Sequence, residues 1–270
     1  MTARAGAPEA LRRFFEEHPR VALAFSGGVD STYLLSVALE ALGRENVLPL
    51  LVQAQLHSRR EGSEAREYAA KLGAALQILP MDIADVPGLV ENPPDRCYIC
   101  KRALFARMEQ EARARGFGVI LDGTNADDVG DYRPGMRALA ELGVQSPLKE
   151  LGFTKACIRR LSAARGLPTA EKPALACLAT RIPFGTRLDA ETMRRIDEAE
   201  TRLMALGFAQ VRVRAHGGVA RIEVPKDRIP EAAARAQEVA EAVRACGFDF
   251  AALDLDGYKM GSLNLHVGEK

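Results

Sequence analysis

The strongest constraint on this chain is a hexapeptide, Ser26-Gly27-Gly28-Val29-Asp30-Ser31, set between two apolar stretches. Val21 to Phe25 reads as a buried strand, and Ser31 to Leu42 as a helix that is hydrophobic nearly all round. Gly27 and Gly28 permit a sharp turn between them and hold no Cβ against an incoming ligand. The N–H groups that open the helix, Val29 among them, then face outward with the positive end of the helix dipole behind them. Ser26, Ser31 and Thr32 add hydroxyl donors. Such a strand–turn–helix is a phosphate cradle, although a Gly-Gly turn can also be purely structural. The Gly-Lys-Ser/Thr of a Walker A loop is absent.

The rest of the first half repeats the alternation. Ala10 to His18 reads as a leading helix, Val47 to Gln53 as a second strand, Ser63 to Leu72 as an amphipathic helix and Ala75 to Leu79 as a third strand. Strands alternating with helices predict an α/β fold, a parallel sheet with helices on both faces. Ligands in such sheets bind beyond the carboxyl ends of the strands, where the Ser26 loop lies. A further strand, Val119 to Leu121, runs into Gly123-Thr124-Asn125-Ala126-Asp127-Asp128. Carboxylates beside a polyphosphate usually hold Mg²⁺, and Asp127 is the candidate; the plain alternative is a helix cap.

The cysteines are the second chemical signal. Five in a chain of 270 residues without an h-region or a membrane-length apolar run suggest a cytoplasmic protein using thiols for metal or catalysis. Cys97 and Cys100 form a Cys-x-x-Cys pair, which by itself fits zinc, a redox dithiol or iron–sulfur ligands. A helix follows it, with Leu104, Met108 and Ala112 at helical spacing. The second pair that a closed zinc site needs is missing, so such a site would have to borrow Cys157 or Cys177. Cys157, inside a helix over Thr154 to Ala164, reads as core, and so does Cys246. Cys177 differs, because Arg181 stands close enough in sequence to favour a thiolate.

A domain boundary is expected around Phe184 to Asp189, dividing 1–185 from 186–270. In the second part Asp189 can cap a helix that presents Met193, Ile196, Leu203 and Leu206 on one face. Gln210 to His216 and Val219 to Val224 alternate around Gly217-Gly218, a two-residue hairpin signal. That turn sets Arg212 opposite Glu223 and Arg214 opposite Arg221 on one side, with Val211, Val213, Ile222 and Val224 on the other. Opposed arginines cost a few tenths to ~1 kcal/mol unless an anion lies between them. The alternative is a solvated polar face. A helix over Pro230 to Arg244 and a strand over Phe248 to Leu255 follow.

The hexapeptide resembles the PP-loop of the N-type ATP pyrophosphatases, which cut ATP between its α and β phosphates. More of the chain is similar to the LarE family, the ATP-dependent sulfurtransferases that act on pyridinium-3,5-biscarboxylic acid mononucleotide in nickel-pincer cofactor biosynthesis. The resemblance runs from Ser26 to about Ser262. It is carried by the hexapeptide, Arg96-Cys97-Tyr98-Ile99-Cys100-Lys101, the Gly123 to Asp128 run and Asp131-Tyr132-Arg133-Pro134-Gly135. Cys177-Leu178-Ala179-Thr180-Arg181, the two hairpin strands and Asp254-Leu255-Asp256-Gly257-Tyr258 complete it.

This resemblance implies an adenine nucleotide α-hydrolase type of sheet followed by a smaller C-terminal α+β domain that binds substrate and assembles a trimer-based hexamer. It implies ATP and Mg²⁺ at Ser26, Gly27, Gly28, Val29, Asp30, Ser31, Gly123, Thr124 and Arg181. Arg212 and Arg214 would hold the phosphate of the mononucleotide or of its mono-thiolated form, and Glu200 and Glu223 a divalent cation. A substrate carboxylate would be adenylated and then attacked by sulfur. Members with a lone matching cysteine give up its sulfur and keep dehydroalanine; for members that also carry Cys-x-x-Cys the resemblance implies a 4Fe–4S cluster on three thiolates, here Cys97, Cys100 and Cys177. Transfer-RNA thiolation enzymes share the loop and three cysteines, but a net charge of +1 and no RNA-binding module argue against nucleic acid. NAD and GMP synthetases share the loop and use ammonia, which leaves Cys177 no task. A nucleotide sensor would need neither Cys97 nor Cys177.

Overall fold

The computed structural model describes residues 7–130, 134–173 and 176–259. They divide into two compact units, the first comprising Met1–Ala54, Arg59–Asp82 and Cys97–Leu175, the second Gln55–Ser58, Ile83–Arg96 and Ala176–Lys270.

In the first unit β1 (Val21–Ala24), β2 (Val47–Gln53), β3 (Gln77–Pro80) and β4 (Val119–Leu121) form a parallel sheet in the order β3-β2-β1-β4. Helices α1 (Ala7–Glu17), α2 (Val29–Leu42), α3 (Arg59–Lys71), α4 (Arg96–Ala114), α5 (Pro134–Glu141), α6 (Pro147–Glu150) and α7 (Lys155–Ala164) connect or cover the strands. The strands are apolar almost throughout because both faces are buried. Val21 and Leu23 pack with Leu34, Leu35, Phe153 and Ile158, whereas Ala22 packs with Leu50, Phe105 and Met108. α2 is buried along most of its length, as its apolar composition predicts. Order reverses between β1 and β4, so the chain leaving β1 reaches α2 at the switch point where sheets of this kind take ligands.

The second unit is built on α8 (Ala190–Ala205), the strands β5 (Arg212–His216), β6 (Val219–Glu223) and β7 (Phe250–Leu253), and helices α9 (Ile229–Ala234) and α10 (Ala236–Arg244). Asp189 caps α8 by accepting from the Thr192 amide at 2.8 Å, and Met193, Ile196 and Leu203 are buried. The β5–β6 register is the one the Gly-Gly turn dictates: Arg212 opposes Glu223 and Arg214 opposes Arg221. Gly217, at φ +61°, takes the left-handed conformation such a turn needs. β7 joins β6 in parallel. The helix expected over Pro230 to Arg244 is two helices that meet at Arg235. That residue leaves helical geometry, its guanidinium donating to the Leu206 carbonyl at 2.8 Å and lying over the Phe208 ring.

Two segments far away in sequence belong to this unit through specific hydrogen bonds. The Leu56 carbonyl accepts from the Leu178 amide at 2.9 Å. Buried Asn92, at φ +55°, donates its amide to the Pro183 carbonyl at 2.8 Å and accepts from Arg96 at 2.6 Å. Asparagine is among the few residues besides glycine that tolerate that conformation. Among the described residues no helix is long and apolar enough to cross a membrane.

Candidate functional site

The Ser26 loop is held open by its own side chains. The Gly28 amide donates to Ser26 Oγ at 3.3 Å, and Ser31 Oγ donates to the Gly28 carbonyl at 3.2 Å. Gly28 stands at the N-cap of α2 with extended geometry and no side chain to cap it, so the first-turn amides are left for an anion. Gly27 is at φ +68°, and a Cβ there would come within 2.9 Å of the Ala65 Cα. Gly27→Ala should therefore lower unfolding free energy by about 1–3 kcal/mol, a loss readable in urea denaturation. Gly123 is equally tight: a Cβ would sit 3.0 Å from the Ser31 amide nitrogen, so the chain leaving β4 lies directly on the first turn of α2.

Asp30, in that first turn, has one carboxylate oxygen bonded to the Lys155 ammonium; the other is buried with no hydrogen-bond partner among the described residues. Desolvation raises its pKa above the ordinary 3.8, the Lys155 ammonium opposes the rise and Asp128 reinforces it. Asp127 accepts from the Lys155 amide at 2.7 Å, so one residue touches both candidate cation ligands. Thr124 is buried with its hydroxyl given to Asp122, which also accepts from Ser146 Oγ at 2.6 Å. Lys172 donates to the Gly27 carbonyl at 2.9 Å, pairs with Glu64 at 2.7 Å and lies over the Tyr68 ring. Neither Lys155 nor Lys172 stands out from a motif. The one local signal is a cation at the first position of α7, where the helix dipole disfavours it.

Cys97 and Cys100 lie in the first turn and a half of α4, three residues apart on one face. Cys97 is exposed and Cys100 half-buried, both free of disulfide. Tyr98 is fixed between them by its hydroxyl bond to Glu141 at 2.6 Å and by the Arg137 guanidinium over its ring. Asp131, Tyr132 and Arg133 lie outside the described residues, as do Ala174 and Leu175. Cys157 is half-buried against the core of the first unit; buried Cys246 donates its thiol to the Ala242 carbonyl.

In the second unit Cys177 caps a short 3₁₀ turn, Leu178–Arg181, and is exposed and outside any disulfide. Its carbonyl is clamped: the Thr180 amide (2.9 Å), Thr180 Oγ1 (2.7 Å) and Arg181 Nη1 (3.2 Å) all donate to it. Arg181 is buried, reaches the backbone of Cys177 and pairs bidentately with Glu200 at 2.9 and 3.0 Å. Glu200 also accepts from the Val213 amide at 3.0 Å.

The hairpin supplies its own anion. Glu223, fully buried, takes Arg214 at 2.6 Å and Arg221 at 3.2 Å, while Asp254 takes the other end of Arg221 at 3.2 Å. The expected face is thus neither solvated nor waiting for a counter-ion between Arg214 and Arg221. Arg214 spends a further donor on the Thr180 carbonyl at 2.7 Å, and its Nε is buried with no partner among the described residues. Arg212 bonds only its neighbour's carbonyl at 2.8 Å and lies over the Tyr258 ring; among the described residues no carboxylate pairs with it. Burial pushes its pKa below the ordinary value, and Arg181 adds to the effect.

The structure therefore gathers Ser26 to Ser31, Gly123, Thr124 and Asp127 in the first unit, and Cys177, Arg181, Glu200, Arg212, Arg214 and Glu223 in the second. Among the described residues no cluster of three or more His, Cys, Asp or Glu side chains is arranged to hold a metal ion.

Comparison with known proteins gives a family-model match to NAD synthase over residues 14–122. The chain is 39% identical over 258 residues to an uncharacterised protein of Synechocystis, covering 95% of this chain and 96% of that one. It is 37% identical over 245 residues to the pyridinium-3,5-bisthiocarboxylic acid mononucleotide synthase of Lactiplantibacillus plantarum, covering 91% and 89%. A tRNA-cytidine(32) 2-sulfurtransferase of Alkalilimnicola ehrlichii matches at 31% over 121 residues, 43% of this chain and 38% of that one.

Proposed function

Because the chain belongs to the pyridinium-3,5-bisthiocarboxylic acid mononucleotide synthase family, we propose that it adenylates a carboxylate of pyridinium-3,5-biscarboxylic acid mononucleotide, or of its mono-thiolated form, and replaces it with a thiocarboxylate. It is an ATP-dependent sulfurtransferase of the PP-loop class. One observation carries the sulfur step: Cys177 is exposed and outside any disulfide while its own backbone is clamped.

The Ser26–Ser31 loop would take the phosphates of ATP against the open amides of α2. Mg²⁺ suits the buried Asp30 oxygen that has no partner among the described residues, with Asp127 bonded to the Lys155 amide, and would supply charge neutralisation as pyrophosphate departs. The substrate carboxylate attacks the α-phosphorus, pyrophosphate leaves, and a mixed anhydride with AMP remains. A thiolate is a strong nucleophile near neutral pH and AMP a good leaving group, so sulfur displaces it.

Two sources of that sulfur follow from the residues present. The first is the 4Fe–4S cluster that the resemblance implies on the thiolates of Cys97, Cys100 and Cys177, none of which is in a disulfide. When bound, such a cluster would supply sulfide and leave the chain intact. In the alternative, Cys177 itself attacks, loss of its α-proton breaks the Cβ–Sγ bond, and dehydroalanine stays behind. Iron analysis and mass spectrometry after anaerobic incubation with ATP, Mg²⁺ and the dicarboxylate mononucleotide separate the two. Bound iron with unchanged mass supports the cluster; an iron-free protein lighter by one H₂S supports the sacrificial route. Absence of pyrophosphate release with this substrate would overturn both.

Arg212 and Arg214 are proposed to bind the mononucleotide phosphate. Arg212 is the cleaner test, since its removal orphans no buried carboxylate. Arg212→Ala should raise KM for the mononucleotide by about ten- to a hundredfold, the worth of one charge-assisted hydrogen bond, and spare KM for ATP. Equal loss of both would remove the assignment. A trimer-based hexamer belongs to the same proposal and is testable by sedimentation.

A further inference from the structure

The divalent cation that the resemblance puts at Glu200 and Glu223 does not fit this arrangement. Both oxygens of Glu200 accept from Arg181, and one also takes the Val213 amide. Both oxygens of Glu223 accept from Arg214 and Arg221. A cation entering there would replace a guanidinium that is itself buried, leaving that charge unpaired at a cost larger than the pair is worth. Each carboxylate already has the counter-ion its burial demands.

What the Glu200 pair does hold is the chain around Cys177. Arg181 Nη1 donates to the Ala176 carbonyl at 2.8 Å, the Cys177 carbonyl at 3.2 Å and Thr180 Oγ1 at 2.9 Å. Its remaining edge is locked onto Glu200, a residue of α8 that also grips β5 through the Val213 amide. Arg214 of β5 holds the same turn from the other side by its bond to the Thr180 carbonyl. The turn that carries the thiol is thus pinned to α8 and to the arginine hairpin by buried, forked, charge-assisted bonds, whose geometry is more specific than that of ordinary turn contacts.

We propose that Arg181 and Glu200 are a positioning pair for Cys177, with Glu200 the counter-ion of a buried guanidinium and not a cation ligand. Through Arg214 and Thr180 the pair ties the sulfur to the strand that would read the substrate phosphate, so the reacting thiol and the substrate anchor share one frame. This deepens the sulfur-transfer reading and its activity arm rests on it. A thiol displaced by even an ångström from the acyl-adenylate would lose most of its rate while adenylation, a first-unit property, continues.

The test uses Glu200→Gln, which keeps shape and the acceptor for Val213. It also uses the double variant Arg181→Met/Glu200→Gln, which removes the lone buried charge should the single variant fold poorly. After chelation of iron, iodoacetamide labelling of Cys177 is followed by mass spectrometry, with exposed Cys97 in the same molecule as reference. Labelling of Cys177 relative to Cys97 should rise at least about fivefold in both variants, and thiocarboxylate formed per pyrophosphate released should fall at least about tenfold. Mn²⁺ binding in the absence of nucleotide, read by electron paramagnetic resonance, should match wild type. Unchanged labelling overturns the positioning role, and loss of a Mn²⁺ site in Glu200→Gln overturns the counter-ion assignment. If labelling rises but wild type makes no thiocarboxylate, the pair stands and the sulfur-transfer reading falls.

Discussion

Pyrophosphate release by an Asp30→Asn protein is expected to fall on the order of 10²–10³-fold while the thermal midpoint holds or rises. One oxygen of Asp30, without a partner among the described residues, is buried in the first turn of a helix whose amides are open. Desolvation raises the folded-state pKa of Asp30 above 3.8 despite Lys155. A carboxyl whose pKa is higher in the folded than in the unfolded chain binds its proton more tightly when folded, so its ionisation opposes folding. That penalty is absent below the ordinary value, grows as pH rises through the window up to the raised folded pKa, and is fully present above it. The neutral amide removes the penalty at pH 7, whereas Lys155, about a third exposed, can hydrate its ammonium. Activity and stability should therefore move apart, the mark of a group kept charged for a ligand. Calorimetry beside a pyrophosphate assay checks this; parallel loss of both would make Asp30 a structural residue.

Register and caps were legible in the sequence because they depend on neighbours. A two-residue Gly-Gly turn leaves one pairing that buries Val213 and Ile222 together, and that pairing fixes Arg212 opposite Glu223. Asp189 announces α8 for the same local reason. What the pattern does not contain is closure at long range. Lys155 meets Asp30 across 125 residues and Lys172 meets the Gly27 carbonyl across 145, and no periodicity encodes either. Ile83–Arg96 belongs to the second unit, where Asn92 bonds 182 and 183 across some ninety residues. The hairpin shows the limit most clearly. Alternation identified the charged face, but only side-chain geometry reveals that Glu223 serves Arg214 and Arg221 and that no carboxylate among the described residues pairs with Arg212.

Cys177→Ser is expected to abolish thiocarboxylate formation, a loss on the order of 10³-fold or more, while pyrophosphate release persists. Serine preserves the backbone of the turn, because the bonds that fix it run through the carbonyls of Ala176 and Cys177 and the side chains of Thr180 and Arg181. Cys177 is exposed, so exchanging sulfur for oxygen opens no cavity and stability should move by no more than about 0.5 kcal/mol. The chemistry changes entirely. A hydroxyl is scarcely ionised at neutral pH, and it can neither deliver sulfur to an acyl group nor ligate iron as a thiolate does. The acyl-adenylate, made in the presence of ATP but unclaimed, should hydrolyse and return the dicarboxylate with AMP. Cys97→Ser separates the routes further. Cluster-dependent transfer loses thiocarboxylate with either substitution, whereas the sacrificial route survives loss of Cys97 and stops only with Cys177. Thiocarboxylate made at the wild-type rate by Cys177→Ser would leave an adenylating enzyme whose sulfur enters elsewhere.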